Sequence, residues 1–447
     1  MSEPQAIPHS VDELEAIVQK VLDLSADRGA TSAEAAVSSD TGLSVTARLG
    51  EVETLEYHKD QGVGVTVYFG QRKGSSSSSD LRPEALAEAV EAACRIARYT
   101  EEDECAGLAD AELMAYDYPD LELDHPWAID AEAAVELAKQ TEASALELDE
   151  RITNSDGGSV NAFRGASVYG NSHGFIGGYS ATRHSMSCSV IGEAEGLMQR
   201  DYWYSVSRDP SQLEPPEQIG RLAAERTLHR LGARQISTRQ APIIFAADIA
   251  RSFIGHFVGA IRGSAQYRKA SFLLDHLGQQ IFPEEIHIHE QPYIHGGLGS
   301  APFDSEGVKT REKDMIADGV LQSYVLDSYS ARKLGMQTTG NAGGVRNLMV
   351  DPTAGDLQSI MQDMGTGLLV TELIGHGINM VTGDYSRGAS GFWIENGEIA
   401  YPVEEITIAG NLKNMFMGIR AVGSDIDNRG SIRTGSILID QMTIAGE

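Results

Sequence analysis

The chain has 447 residues, which is long for a single hydrophobic core, so two or three domains are expected. It carries 65 acidic and 35 basic residues, which gives a formal net charge of −30 at pH 7. This charge argues against binding to nucleic-acid phosphates or to anionic membranes, because both attract clustered Lys and Arg. The excess of carboxylates is instead typical of a well-solvated, self-repelling surface.

The cysteines and the N-terminus bear on the cellular compartment. Cys94, Cys105 and Cys188 are widely spaced and form no CxxC pair, so we expect reduced thiols and no disulfide framework. Residues 1–18 lack the basic start and apolar core of a signal peptide. We also find no uninterrupted apolar run of about 18 residues that would span a membrane. We therefore expect a cytoplasmic protein without a membrane partner.

The chain begins with a predicted helix. Ser10 and Glu13 match a capping box, apolar residues follow at helical spacing, and Gly29 ends the pattern. Two stretches that alternate between polar and apolar residues come next, at 43–57 and 63–68. This period of two predicts antiparallel strands.

Glycines and a serine run punctuate this region. Gly50 and Gly62 are predicted to interrupt the strands. Ser75–Ser79 has the composition of a linker, but it continues a strand pattern and precedes a helix, so we place it inside the domain as strand or loop. Asp80–Tyr99 is predicted to be that helix, with Pro83 in its first turn.

The middle of the chain repeats the mixture of helix and strand. Segment 101–128 is acidic and irregular, and Ala131–Leu148 has the periodicity of an amphipathic helix. Short alternations rich in Gly, Ser, Tyr and Val over Ile152–Tyr204 predict a β-meander. A further helix is predicted over Glu217–Leu231, and Gly232 follows it in the usual C-terminal capping position.

The polar segment 232–239 marks the predicted domain boundary, because the sequence becomes β-rich beyond it. We predict an α+β protein. Residues 1–235 form an N-terminal domain of antiparallel strands and amphipathic helices, divisible into 1–125 and 126–235. Residues 236–447 form a β-rich C-terminal domain. No internal repeat of fixed period is visible.

Two hairpins are predicted in the C-terminal domain. Asp318-Gly319 and Asn396-Gly397 each separate two short apolar runs. Both dipeptides readily adopt the positive φ angles that a type I′ turn requires.

Two motifs match patterns used in catalysis or metal binding, but each also has a structural explanation. Gly170–Gly174 matches GxSxG, but glycines and strand-forming residues surround it, which favours a hairpin over the strand–turn–helix of a hydrolase. His287 and His289 are spaced i, i+2 on a predicted strand and can chelate a metal, although such pairs are usually surface histidines. No Rossmann or P-loop motif occurs.

The chain resembles a known family over nearly its whole length. The resemblance lies in the order and number of short segments, which include Arg151–Asn154, Tyr169–Gly174, Pro302–Val308, Ser328–Gly335, Met364–Leu368, Thr382–Ala389 and Glu405–Leu412. Together they are similar to the TldD/PmbA metallopeptidase family, also called modulators of DNA gyrase. Within it, the chain resembles the PmbA (TldE) type of subunit.

The resemblance locates a metal motif that this chain has lost. TldD-type chains carry HExxxH on a helix and a cysteine ligand late in the chain. Two histidines about one turn apart can bind Zn²⁺, and the glutamate can act as a general base. Here the corresponding segment offers only His256, with Ala260 near the second histidine position and Thr434 near the late ligand. We therefore expect no zinc in this chain alone and no confident catalytic residue.

The resemblance also implies partners. It implies a heterodimer with a TldD-type subunit that holds the zinc, and a substrate that is an unfolded or extended peptide. It leaves open a homodimer when the partner is absent. Glycine lets a second backbone approach closely, so the residues predicted to contact the peptide are those of two Gly-containing segments: Gly365, Gly367, Asp384 and Arg387.

Three functions stay open from the sequence. The first is a non-catalytic subunit of a TldD-type metalloprotease. The second is a metallopeptidase in its own right, with an atypical site that uses His256. The third is an acidic protein that binds and modulates gyrase, for which the family name and the charge of −30 are the support.

Overall fold

In a computed structural model of the protein, residues 7–446 are described. The N-terminal part contains two successive sets of elements. The first set is α1 (Val11–Asp27), β1 (Ser32–Arg48), β2 (Glu51–Phe69), β3 (Arg72–Ser78) and α2 (Pro83–Tyr99). The second set is α3 (Ala131–Leu146), β4 (Ile152–Asn171), β5 (Ile176–Ala194), β6 (Leu197–Ser207) and α4 (Pro216–Arg230).

The strands of both sets form one antiparallel sheet in the order β3-β2-β1-β4-β5-β6. The order is symmetric about the central β1–β4 pair, so a unit of helix, three strands and helix occurs twice. No repeat is visible in the sequence, because the two units share the order of their elements but no periodic pattern of residues. The predicted division at residue 125 stays a prediction, although the sheet is continuous across it.

All four helices cover one face of this sheet. Every second residue of β1 from Ala33 to Ala47 is buried, which is the alternation expected of a strand with one covered face. Leu14 and Val90 pack over one end of that face, and Ala138 and Ile219 pack over the other. The opposite face is open toward the C-terminal part.

Local sequence signals account for most element boundaries. The Ser10–Glu13 capping box is formed, and Pro83 begins α2. Ser75–Ser78 of the serine run belong to strand β3, so of the two predicted alternatives, strand or loop, the strand is present. The interruption predicted at Gly62 is wrong, because β2 continues through it and Gly62 pairs with Ser38. The real change there is in the neighbouring strand, since β3 pairs with β2 only from Val63 onward.

The C-terminal part begins with β7 after the polar segment. Its elements are β7 (Arg239–Phe245), α5 (Ala247–Ile261), α6 (Gly263–Tyr267), β8 (Ile288–Glu290), β9 (Lys313–Ala317), β10 (Val320–Leu321), α7 (Ser328–Lys333), β11 (Leu348–Val350), α8 (Leu357–Met364), β12 (Gly367–Ile374), β13 (Asp384–Glu395), β14 (Glu398–Asn411), α9 (Leu412–Met417), β15 (Ile419–Val422), β16 (Ile432–Arg433) and β17 (Ile437–Ala445). The prediction of an α+β fold with a β-rich C-terminal part is confirmed.

Two sheets organise this part. One has the order β10-β9-β8-β11-β16, and the other has the order β14-β13-β12-β7-β17-β15. Because β14 also pairs with β17, five strands of the second sheet close on themselves. Both predicted hairpins are present, with positive φ at Asp318, Gly319, Asn396 and Gly397.

Helix α5 packs into the largest core cluster of the described residues. Phe253 stacks on Phe245 of β7 with ring centroids 5.5 Å apart, and Phe257 meets Phe282 edge-on at 5.3 Å. These aromatic contacts fix the helix against the closed sheet. The three cysteines are free and buried. Of the helices within residues 7–446, none combines the length and apolar character needed to cross a membrane.

Candidate functional site

His256 lies on the half-buried side of α5, facing strand β13. Its ring meets the ring of Tyr385 edge-on, with centroids 5.9 Å apart. Its Nε2 atom is buried and has no hydrogen-bond partner among the described residues. Burial, together with the nearby positive charge of Arg387, lowers the pKa of His256 to about 4. The imidazole is therefore neutral at pH 7.

The other positions of the lost motif offer no metal donors. Ala260 is fully buried, and the buried Thr434 hydroxyl donates to the carbonyl oxygen of Gly435 at 3.1 Å. The late segment nevertheless lies beside the helix, since an ideal Cβ at Gly255 would lie 3.9 Å from Cδ1 of Ile432. The fold thus places the segment predicted to carry the late ligand beside the helix that carries His256.

A zinc ion does not fit the donors around His256. The imidazole is surrounded by a phenol ring and a guanidinium, and the cation repels a second positive charge. Zn²⁺ sites normally use three or four N, S or O donors from side chains. Within residues 7–446, the group of His, Cys, Asp or Glu side chains close enough to share a metal lies elsewhere, at His287, His289 and Asp351.

A charged pocket of about 320 Å³ opens next to the first two turns of α5. We call it the Arg387 pocket. It lies between the N-terminal sheet, α4, α5 and the β12–β13 pair, and five arginines line it: Arg200, Arg226, Arg230, Arg251 and Arg387. Its walls therefore come from both parts of the molecule.

Arg387 differs from the other arginines of this pocket. Each of the other four has a carboxylate within 4 Å, for example Arg226 with Asp201 and Asp248, both at 3.2 Å. In the described part of the chain, Arg387 forms no ion pair. It donates to Oγ of Ser252 at 3.3 Å and to the carbonyl oxygen of Leu373 at 3.4 Å, and its buried Nε has no partner. An arginine of this kind can bind a carboxylate from outside the chain.

The four residues predicted to contact a peptide do not form one site. Gly365 ends α8 with φ +69°, and Gly367 begins β12. Arg387 contacts Leu373 at the opposite end of that strand. Asp384 is exposed and accepts hydrogen bonds from Thr382, two residues before it, and from Asn411 at the end of β14. Among the four residues, Arg387 is the one that lies in the pocket beside α5.

The peptide contact predicted at Gly365 and Gly367 stays a prediction, but the strand that begins at Gly367 limits how a peptide could bind there. Over Leu368–Val370, strand β12 pairs with β13 on one side and with β7 on the other, so this stretch has no free edge for an added strand. The close backbone approach at Gly367 is internal, because an ideal Cβ there would lie 2.5 Å from the carbonyl oxygen of Pro242. Gly365 and Gly367 are explained by turn geometry and packing.

The GxSxG segment is a hairpin, as predicted. It joins β4 to β5, and Gly174 has φ +88°. The Ser172 hydroxyl accepts a hydrogen bond from the backbone N–H of Ala33 at 3.1 Å. The Ser172 hydroxyl therefore has a structural role. A strand follows the Gly170–Gly174 segment, instead of the helix that a nucleophile elbow requires.

A larger pocket, of about 630 Å³, was not predicted from the sequence. It lies between the open face of the N-terminal sheet and the loop at Phe303–Ser305. Burial raises the pKa of Asp304 to about 6, while hydrogen bonds from the backbone N–H groups of Ala342, Glu306 and Val308 partly offset this rise. Burial likewise raises the pKa of the neighbouring Glu306 to about 7. The only sequence signal was that Pro302–Val308 belongs to the segments that carried the resemblance.

Comparison with known proteins identifies the class. Descriptions of the PmbA/TldA metallopeptidase domain 1, central domain and C-terminal domain match residues 33–97, 124–231 and 238–446 in turn. The chain belongs to the PmbA/TldD metallopeptidase family.

Two individual relatives show high sequence identity to the chain. The chain is 52% identical over 434 residues to Metalloprotease PmbA of Escherichia coli O157:H7, which covers 97% of this chain and 96% of the relative. It is 51% identical over 435 residues to the Metalloprotease PmbA homolog of Haemophilus influenzae, with 97% and 96% covered.

Solved structures agree with this assignment. A proposed modulator of DNA gyrase from Bacteroides thetaiotaomicron superposes with a TM-score of 0.92 at 28% identity, over 98% of this chain and 99% of that one. TldE from Thermococcus kodakarensis shares the fold, with a TM-score of 0.83 at 21% identity over 96% and 100% of the two chains.

Proposed function

We propose that this chain is the PmbA/TldE-type subunit of a two-subunit metalloprotease and that it holds no zinc at α5. The observation that carries the proposal is the donor set around His256. The neutral imidazole has Arg387 close by, and Ala260 and Thr434 stand where the family's other ligands are expected. A TldD-type partner then supplies the zinc and the hydrolysis.

The role of this chain is to bind the substrate, an unfolded or extended peptide. The Arg387 pocket supports this, because the partly buried Arg387 there has no carboxylate partner among the described residues and its buried Nε has no hydrogen-bond partner. A carboxylate of the peptide, from an acidic side chain or the C-terminus, would satisfy it with charge-assisted hydrogen bonds. The neighbouring ion pairs keep the pocket walls in place.

The second candidate is a metallopeptidase that acts without a partner. It is favoured by the name of the relatives in Escherichia coli and Haemophilus influenzae, which are called metalloproteases themselves. In that case His256 would be a ligand of an atypical site. Its pKa of about 4 leaves the nitrogen free to bind a metal at neutral pH, but the adjacent Arg387 opposes it.

Reconstitution tests the proposal. The chain, a TldD-type subunit and the co-expressed pair are assayed with an unfolded fluorogenic peptide that ends in a free carboxylate. We expect hydrolysis by the pair, and none by the pair whose partner carries Glu→Gln in HExxxH. Hydrolysis by this chain alone that disappears in His256→Ala would establish the second candidate. Capture of gyrase without any TldD-type subunit, and without hydrolysis, would favour gyrase modulation.

A variant pair tests the binding role. Arg387→Gln should raise KM of the reconstituted pair about tenfold, because a charged hydrogen bond contributes about 1.5–3 kcal/mol. Arg151→Gln is the matched control, since this exposed arginine pairs with Asp149 at the surface. Amidation of the peptide's C-terminus or replacement of its acidic residues should reproduce the loss. An unchanged KM in Arg387→Gln would remove the pocket from the proposal.

A further inference from the structure

His287 and His289 belong to a cluster that the sequence did not reveal. Strand β8 lies between β9 and β11, and this register brings both histidines next to carboxylates. The backbone N–H of Asp351 donates to the carbonyl oxygen of His287 at 3.1 Å, and His289 is the register partner of Asp314. Because residues at i and i+2 point to one face of a strand, the two imidazoles and the two carboxylates share that face.

The side-chain atoms converge. One ligand atom from each of His287, His289 and Asp351 lies within 4.8 Å of the others. Nδ1 of His289 is 3.5 Å from Oδ1 of Asp351 and has no hydrogen-bond partner although it is buried. Nε2 of His287 is 3.1 Å from Oδ1 of Asp314.

We infer that this cluster, defined as His287, His289, Asp351 and Asp314, binds a divalent transition-metal ion such as Zn²⁺ or Co²⁺. Imidazole and carboxylate are donors that these ions accept, and two carboxylates balance the charge of one dication. Ligand atoms around Zn²⁺ lie about 3.3 Å apart, so the three side chains need to close by at most about 1.5 Å. Rotation about χ angles provides this, since the side chains of His287 and Asp351 are 35% and 47% exposed.

The surroundings supply supporting contacts. The amide nitrogen of Gln291 lies 3.0 Å from Nε2 of His289. When Nδ1 of His289 binds the ion, Nε2 carries the proton. The Nε2–H group then donates a hydrogen bond to the side-chain oxygen of Gln291, once the amide of Gln291 has turned its oxygen toward the ring. Asp314 completes the ligand set or fixes the His287 ring. The exposure of the cluster gives the ion a path from solvent.

This site is separate from the α5 position and from the proposed function. It matters for testing that function, because zinc found in the purified chain would not by itself show a site at His256. Metal analysis therefore needs variants at both places.

Titration of the untagged, full-length chain with Zn²⁺ and with Co²⁺ after chelator treatment tests the inference. We expect one ion per chain, with Mg²⁺ as a hard ion binding far more weakly, and a Co²⁺ absorption spectrum typical of N and O ligands. His287→Ala and His289→Ala should each raise Kd at least tenfold. His295→Ala is the control, because the His295 side chain is 63% exposed and its ion-pair partner is Glu122, at 3.5 Å.

The outcomes are distinguishable. Absence of saturable binding, or binding that is unchanged in both His287→Ala and His289→Ala, overturns the inference. Loss of binding in His256→Ala alone overturns both the inference and the proposed absence of zinc at α5. Melting temperatures of all variants show whether a loss reflects misfolding. His287→Ala should melt with the wild type, because the His287 side chain is 35% exposed.

Discussion

The His256 side chain has an electrostatic consequence that does not depend on any partner. A histidine whose pKa falls from 6.5 to about 4 on folding binds its proton more readily in the unfolded chain. Above pH 6.5 the titration of His256 does not lower the free energy of unfolding. As the pH falls from 6.5 toward 4, the unfolded chain takes up the proton first and the folded state loses stability. Between pH 7.5 and pH 5 the loss amounts to about 2 kcal/mol.

His256→Phe should therefore remove about 2 kcal/mol of the acid destabilisation, because phenylalanine has no titratable group and keeps the contact with Tyr385. Urea unfolding of the variant and the wild type at pH 7.5 and pH 5 measures the difference. His295→Phe, at an exposed position, serves as the control. An equal drop in the midpoint for wild type and His256→Phe would contradict a buried neutral imidazole.

Individual side chains also mark the limit of sequence reasoning. The capping residues and turn glycines act on neighbours within four positions, so Ser10 and Asn396 could be interpreted without a structure. The contact of Arg387 with Ser252 joins residues 135 positions apart. No local pattern specifies such a contact, and the missing carboxylate partner of Arg387 becomes visible only when its neighbours are placed.

At the scale of elements, the close packing of α2 on β3 rests on one glycine. An ideal Cβ at Gly74 would lie 2.2 Å from the carbonyl oxygen of Ala93 and 2.4 Å from the backbone nitrogen of Ala97. Backbone atoms of a helix cannot move aside singly, so the helix must shift as a unit. This explains why a strand with four consecutive serines and little apolar surface still holds a helix.

Gly74→Ala should lower the free energy of unfolding by about 1–3 kcal/mol, since the added methyl group overpacks the interface. Gly64→Ala is the matched control in the adjacent strand β2, where an ideal Cβ meets nothing within 4 Å. It should be neutral or stabilise by up to about 1 kcal/mol through the unfolded state. Chemical denaturation of both variants decides, and equal effects would mean that the helix does not approach Gly74 this closely.

At the scale of the whole molecule, charged side chains join the N-terminal sheet to the C-terminal part. The guanidinium of Arg429 lies 4.2 Å from the ring centroid of Trp203 and 4.5 Å from that of Tyr204, both in β6. Its Nε donates to Asp427 at 2.8 Å. Burial alone would raise the pKa of Asp427, but the hydrogen bonds from Arg429 hold it below its usual value. The sequence predicted the two parts but not this connection, because both stacking partners lie more than 200 positions upstream.

Arg429→Ala should loosen the two parts from each other. The substitution removes both ring contacts. It also leaves Arg251, at 3.7 Å, as the remaining ion-pair partner of the buried Asp427. Breaking a buried ion pair lowers the free energy of unfolding by about 3–5 kcal/mol. We expect faster cleavage in the polar segment 232–239 during limited proteolysis and a broader or split calorimetric transition. Arg429→Lys should be intermediate, because it keeps the charge but loses planar stacking on the rings. Arg82→Ala, at a guanidinium that is 80% exposed, should change neither measurement. If Arg429→Ala unfolds in one sharp transition with unaltered cleavage, other contacts between the parts, such as Arg230 with Glu372, hold the molecule together.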